Sequence, residues 1–346
     1  MKRWLRNIAL ALAGLVAALL LVGAGYEMNG RRTAARDFPP RGRMIDIGGR
    51  RIQLDCRGSG SPTVVFESGL GMDGSLGWTA VHDSVALMTR ACTYSRAGIL
   101  WSDPSDGPRH TTDVTADLHA TLRAAGESPP LVLVGHSVGG PYVVAYTQRY
   151  GGDVAGIVLV DGSHPDQVTR LREVTAVTVK QALRPFRIAS TLSWTGVVRA
   201  ASAVAPAEHH DSVYTTRVKA AYAPTSLAAL LKEAEALDST FAETGAAHQL
   251  GDRRLFVLTA GAPASAKELK AMRMTPAQGS RRLEIWKAMQ DEEVAWSTRS
   301  QHVVVDDATH YIQFDRPDAV VAAIRSVVDS VRASGSKTPA SAHRDP

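Results

Sequence analysis

One stretch restricts the fold more than any other. Leu131–Val134 is a short apolar strand that runs directly into Gly135-His136-Ser137-Val138-Gly139-Gly140, and a segment with helical character, from about Val138 to Tyr150, begins at once. Strand, tight small-residue turn and helix in immediate succession open a strand–helix–strand unit. The alternation recurs along the chain. Met44–Ile47 and Arg51–Cys56 flank Gly48-Gly49, a two-residue hairpin turn. Thr63–Phe66, Ala91–Tyr94, Val154–Val160, Arg254–Thr259 and His302–Val305 are further β-type runs. Helices are expected over 76–88, over Thr111–Ala125 with Thr111 or Thr112 as N-cap, and over Pro317–Val331 with proline in its first turn. Strands alternating with helices imply an α/β fold, a parallel sheet covered on both faces.

Residues 166–250 interrupt this rhythm. They are Ala-rich and helical in pattern, with no convincing strand. A crossover needs far fewer residues, so they read as a helical cap inserted between two core strands. The cap divides the core into 43–165 and 251–332. Residues 333–346, with three Ser and two Pro and no apolar pattern, are expected to be a disordered tail.

At the other end, Lys2, Arg3 and Arg6 precede the uncharged apolar run Ile8–Tyr26. That run is about long enough to cross a bilayer as a helix. Residues 1–26 therefore read as a membrane anchor or a signal segment, with Val22-Gly23-Ala24 as the cleavage site in the second case. A signal core is usually shorter, which favours a retained anchor. Export keeps Lys2, Arg3 and Arg6 inside, whereas Arg31, Arg32, Arg36, Arg41 and Arg43 pull the other way. The expectation adopted is a membrane-anchored or secreted protein with an extracytoplasmic domain, and the five arginines suit anionic lipid headgroups. Residues 27–42 read as a linker in which Asn29-Gly30 and Pro39-Pro40 break regular structure. The net charge of +5 comes with no basic stripe interleaved with aromatics, which argues against a nucleic-acid partner.

The chemistry concentrates at the turn after Leu131–Val134. Gly135-His136-Ser137-Val138-Gly139 fits G-x-S-x-G, whose small flanking residues permit a sharp strand-to-helix turn that lifts the serine hydroxyl above the sheet edge. The helix that follows places its positive end beneath a developing anion. Ser137 is the candidate nucleophile. His310, after His302–Val305 and before the last helix, follows the nucleophile in chain order and is the candidate general base. An oxyanion hole needs two backbone N–H groups. Val138, the residue after the nucleophile, supplies one and Leu70, in Glu67-Ser68-Gly69-Leu70-Gly71, supplies the other. Cys56 and Cys92 are the only cysteines, and no His/Cys cluster has ligand spacing, so no metal is expected; acylation of a serine followed by attack of water needs no cofactor.

From residue 43 to about 332 the chain resembles serine hydrolases of the α/β-hydrolase fold. The resemblance rests on VVFESGLG, on YSRAG with WSDP, on LVLVGHSVGGPY, on GIVLVDGSHPD and on DDATHYIQFDRPDAVVAAI, in that order. It implies a mostly parallel, eight-stranded sheet in the order 1-2-4-3-5-6-7-8 with a cap over the site. Ser68-Gly69 stands where many members carry His-Gly, Ser95 where many carry Asp, and Ile99-Leu100 where Tyr-Gly is usual. These departures leave the triad positions untouched and bear on the substrate pocket.

The resemblance also bears on the triad's acid. Many members place it after the seventh strand, yet no carboxylate follows Arg254–Thr259 until Glu268. Others place it after the sixth, where Val154–Val160 runs into Asp161; Asp166 is the runner-up, and Asp306 and Asp307 read as turn caps. The implied sheet order sets the strand ending at Cys56 beside the strand holding Cys92, which implies a disulfide. It also sets Glu67 near Arg96, with an ion pair and a purely local role for Arg96 both open. The function implied is hydrolysis of a carboxylic ester or related acyl bond, lactones and peptides with a free N-terminus included, on a small-molecule acyl substrate. The alternatives are a receptor-like, ligand-binding member and a membrane-tethered interaction protein. Dehalogenase and epoxide-hydrolase chemistry is disfavoured, since those relatives use Asp where Ser137 stands.

Overall fold

In the computed structural model, residues 2–335 are described except Ala176 and His209. Eight strands form one sheet: β1 (Arg43–Asp46), β2 (Arg51–Arg57), β3 (Thr63–Glu67), β4 (Ala91–Ser95), β5 (Leu131–His136), β6 (Val154–Val160), β7 (Gly251–Ala260) and β8 (Ser297–Val305). Their order is β1-β2-β4-β3-β5-β6-β7-β8, as the resemblance implies. Only β2 runs against its neighbours β1 and β4; every other pairing is parallel. The antiparallel start follows from Gly48 and Gly49, whose φ of 86° and 98° give the tight hairpin the positive torsions it needs.

The central strands β3, β4 and β5 are buried at every residue, which explains the apolar runs Val64–Phe66 and Leu131–Val134 within them. Successive side chains enter opposite layers. Val65, Leu131 and Leu133 pack on one face with Leu118 and Leu122 of helix Thr111–Ala125 and Val143 of helix Gly139–Arg149. Val64, Phe66, Val132 and Val134 pack on the other with Trp78 and with Ile324 and Val328 of helix Pro317–Gly335. Cys56 and Cys92 face each other across β2 and β4 with Cα atoms 4.0 Å apart, and they are disulfide-bonded.

Between β6 and β7 the described regular elements are all helical, the longest being Val213–Glu235. The expected helix over 76–88 is instead a 3₁₀ turn, Gly74–Trp78, and a short helix, His82–Ala86. The cap of helix Thr111–Ala125 is His110, whose N–H donates to Asp113, rather than a threonine.

The N-terminal segment departs most from expectation. One helix runs unbroken from Lys2 to Asp37, through the supposed linker. Asn29-Gly30 does not interrupt it because the missing side chain of Gly30 makes room for Arg199, whose Nε would lie 2.3 Å from a Cβ there. Arg199 donates to Glu27 at 2.8 Å, and this buried pairing overrides the local turn preference. The helix stops before Pro39-Pro40. The five arginines are partly used within the protein: Arg31 pairs with Glu27, Arg36 with Asp37, Arg41 lies over the Tyr214 ring and Arg43 donates to the Ala125 carbonyl. The last helix reaches Gly335, so residues 333–335 of the expected tail are helical, and 336–346 lie outside the described residues.

Candidate active site

Ser137 sits at φ 53°, in the left-handed region that a side-chain-bearing residue rarely occupies. The fold holds it there. Its N–H donates to the Val160 carbonyl at 3.2 Å, and its own carbonyl accepts from Gly140 and Ser163, each at 2.9 Å. The glycines of the motif are required sterically. A Cβ on Gly135 would meet the Gly139 carbonyl oxygen at 2.5 Å, and one on Gly139 would meet that of Glu67 at 2.4 Å. The turn therefore closes only without side chains at both positions.

Asp161 follows β6 directly, and its φ of 47° is strained as well. Its Oδ2 lies 2.5 Å from His310 Nδ1. Its Oδ1 accepts from the Ala260 N–H and from Trp286 Nε1, each at 2.8 Å. A carboxylate with three donors around it is held in one orientation. Trp286 lies on helix Pro276–Val294 and carries no sequence signal, since no motif surrounds it. His310 is fixed from behind by His136, whose Nε2 lies 2.8 Å from the His310 carbonyl oxygen. Burial and the neighbouring His310 lower His136 to about 3, so it is neutral and donates that hydrogen bond.

The other acid candidates lie elsewhere. Asp166 precedes the helix Gln167–Arg170 and pairs with Arg170 at 3.2 Å. Glu268 caps its own helix by accepting from the Ser265 N–H at 2.7 Å. Asp306 is exposed near Lys287, and Asp307 pairs with Arg316 at 2.8 Å. Ser137 and His310 line one cleft of about 40 Å³ with Ser68, Gly69, Leu70 and Tyr311, room for a few water-sized groups. Among the described residues, no protein group accepts a hydrogen bond from the N–H of Leu70 or Val138.

Beneath the Leu70 loop lies a buried ionic cluster. Arg96 donates to Glu67 Oε1 at 2.6 Å and to Glu233 Oε1 and Oε2 of the cap at 2.8 and 2.7 Å. It also donates to the Ser68 and Gly69 carbonyls at 2.7 and 2.8 Å, so one guanidinium fixes both the loop and the cap helix above it. Burial pushes the Glu67 carboxyl up, against the pull of Arg96. Asp73, Glu208, His210 and Asp211 gather at the rim of the cleft in a group dense enough for a cation. The Lys219 ammonium is already there, 2.7 Å from Asp73 and Glu208 and 2.8 Å from Asp211, and supplies the positive charge itself.

The profile of the alpha/beta hydrolase family matches residues 55–323. The chain belongs to that family. As an alpha/beta hydrolase it is similar over its folded length to an esterase from Thermogutta terrifontis, with 19% identity, TM-score 0.56, and 84% of this chain and 98% of the other covered. It is similar also to a haloalkane dehalogenase variant, DbeA-M1, from Bradyrhizobium elkanii, with 14% identity, TM-score 0.60, and 85% and 98% covered. Both likenesses show the fold alone. A Hormonema carpetanum protein named "Probable transporter efuK" is 35% identical over 126 residues, 34% of this chain. The chain spans only 18% of that relative's length.

Proposed function

We propose that this alpha/beta hydrolase is a serine hydrolase of carboxylic esters or related acyl compounds, working through Ser137, His310 and Asp161. The observation that carries the reading is the 2.5 Å approach of His310 Nδ1 to Asp161, in the cleft that Ser137 lines. Ser137 Oγ attacks the acyl carbon and its proton passes to His310 Nε2. Asp161 keeps the Nδ1–H in place and stabilises the imidazolium. The N–H groups of Leu70 and Val138 receive the oxyanion. His310 then protonates the leaving alcohol, and water, activated by the same histidine, releases the acid. The haloalkane dehalogenase likeness carries less weight, because Ser137 stands where such chemistry places an aspartate.

The helix Lys2–Asp37 supports a retained anchor, with its apolar window unburied by the rest of the chain. The disulfide supports an extracytoplasmic, oxidising location for the folded domain. A fluorophosphonate probe tests the chemistry. Rapid labelling mapped to Ser137, with turnover of p-nitrophenyl esters, is the expected result. Absence of both from folded protein would favour a ligand-binding member of the family instead.

A further inference from the structure

From Val174 to Ala207 the cap sequence contains no Asp or Glu, while Lys180, Arg184, Arg187 and Arg199 are spread through it. The helix Arg184–Thr191 in this stretch has two unlike sides. Leu183, just before it, packs in one cluster with Leu70 and Val138 of the candidate oxyanion hole. Ala189 packs with Val198, Leu227 and Leu231 inside the cap. Arg184, Ile188 and Leu192 recur at four-residue spacing and so share an outer stripe. Ile188 is 63% exposed and Leu192 45%, and Trp194 and Val197 follow at 50% and 47%.

This apolar surface adjoins the N-terminal helix. A Cβ on Gly23 would meet the Thr195 carbonyl oxygen at 2.3 Å, and one on Gly196 would meet the Tyr26 ring at 2.7 Å. A turn further on, the buried Glu27–Arg199 pair fastens the helix to the cap. Gly23 stands at the end of the apolar run, where Leu19, Leu21 and Val22 are exposed. The exposed side of the cap and the exposed side of the membrane-length helix therefore meet at one corner.

We infer that Ile188, Leu192, Trp194 and Val197, with Arg184 at the rim, rest in the interfacial layer of the same bilayer that the N-terminal helix enters. Aliphatic and aromatic side chains beside a basic one suit an interfacial surface. Arg187 pairs with Glu235 and Arg199 with Glu27, so Arg184 is the cation beside the stripe that would meet anionic headgroups. A protein partner would have to reach this corner past the lipid that the helix brings to it. The inference rests on the anchor reading and is independent of the catalytic one.

The test uses the full chain in vesicles of phosphatidylcholine and phosphatidylglycerol, with bromine on the acyl chains near the headgroup. Trp4→Phe is compared with Trp4→Phe/Trp194→Phe, so that the difference spectrum reports Trp194 alone. We expect bromolipid to quench that difference emission about twofold, and Ile188→Asp/Leu192→Asp to weaken the quenching. Trp194 open to aqueous acrylamide and unquenched by bromolipid overturns the inference in favour of a surface in water. Trp194 shielded from both quenchers overturns it in favour of a second copy or another protein. Release of the chain from vesicles by an alkaline wash overturns the anchor reading and the inference with it. Ester hydrolysis measured on the same samples reports separately on the catalytic reading.

Discussion

The sheet and the cap are held in place by different means. In the sheet, β3, β4 and β5 are buried throughout and their side chains alternate between two apolar layers. No single contact decides its shape, because every residue repeats the same message. The cap has short helices that leave Phe186, Ile188, Trp194 and Val204 exposed, and a few ionic contacts fix it: Arg96 with Glu233, Lys219 with Asp73, and Arg199 with Glu27. A distributed apolar pattern tolerates change at many positions. A buried ionic tie does not, since removing one partner strands the other's charge away from water.

Substitutions sharpen this contrast. The largest effect is expected at the junction of the two regions. Asp161→Asn should leave the fold intact by circular dichroism and lower kcat by about 10⁴-fold; near-full esterase activity in that variant would remove Asp161 from the mechanism. Arg96→Met comes next. It leaves Glu67 and Glu233 buried without a counter-charge and should lower unfolding stability by about 3–5 kcal/mol, measured in urea. Adding Glu67→Gln and Glu233→Gln should recover most of that loss, and no recovery would mean that packing dominates the site. Loss of the Cys56–Cys92 bond, whose partners are 36 residues apart, should cost about 3–4 kcal/mol by freeing the unfolded chain. Comparing the urea midpoints of Cys56→Ala/Cys92→Ala and wild type tests this.

The smallest effect concerns Glu293, buried behind Asp161 with one carboxyl oxygen unpaired. Burial, and then the nearby Asp161, hold its carboxyl well above the usual range. The folded state thus keeps a proton that the unfolded state gives up. The stability from this group is fully present below the ordinary Glu value and declines as pH rises through the folded one. Glu293→Gln should therefore flatten the loss of thermal stability with rising pH over that interval. An unchanged slope would show that Glu293 is ionised in the fold.

The sequence discloses these regions unequally. Period-two and unbroken apolar runs announce the strands, and the crowding of Gly135 against Gly139 is a local event that five residues reveal. His310 follows from chain order. Asp161 rests on the resemblance, which places the acid of some members after the sixth strand, and the sheet order brings the end of β6 to the loop that holds His310. The partners of these groups were beyond reach. Trp286 meets Asp161 across 125 residues, and Glu233 meets Arg96 across 137, each from a helix with no pattern of its own. The unbroken N-terminal helix was hidden for the same reason: a distant arginine in the space left by Gly30 outweighs what Asn29-Gly30 says locally.

That helix has a mechanical consequence. It is pinned at Glu27, and just past its end the Phe38 carbonyl accepts from Trp101 Nε1 and the Tyr222 hydroxyl at 2.9 and 3.0 Å. At about 1.5 Å per residue, the stretch from Glu27 to Asp37 is a strut of roughly 15 Å. A flexible connection of that length would let the domain swivel and bob. For a chain anchored as proposed, the strut instead sets the height and the heading of the cleft relative to the bilayer plane. The domain would then travel along that surface at a fixed height, and molecules confined to the layer would meet its cleft by lateral diffusion rather than by tumbling of the domain.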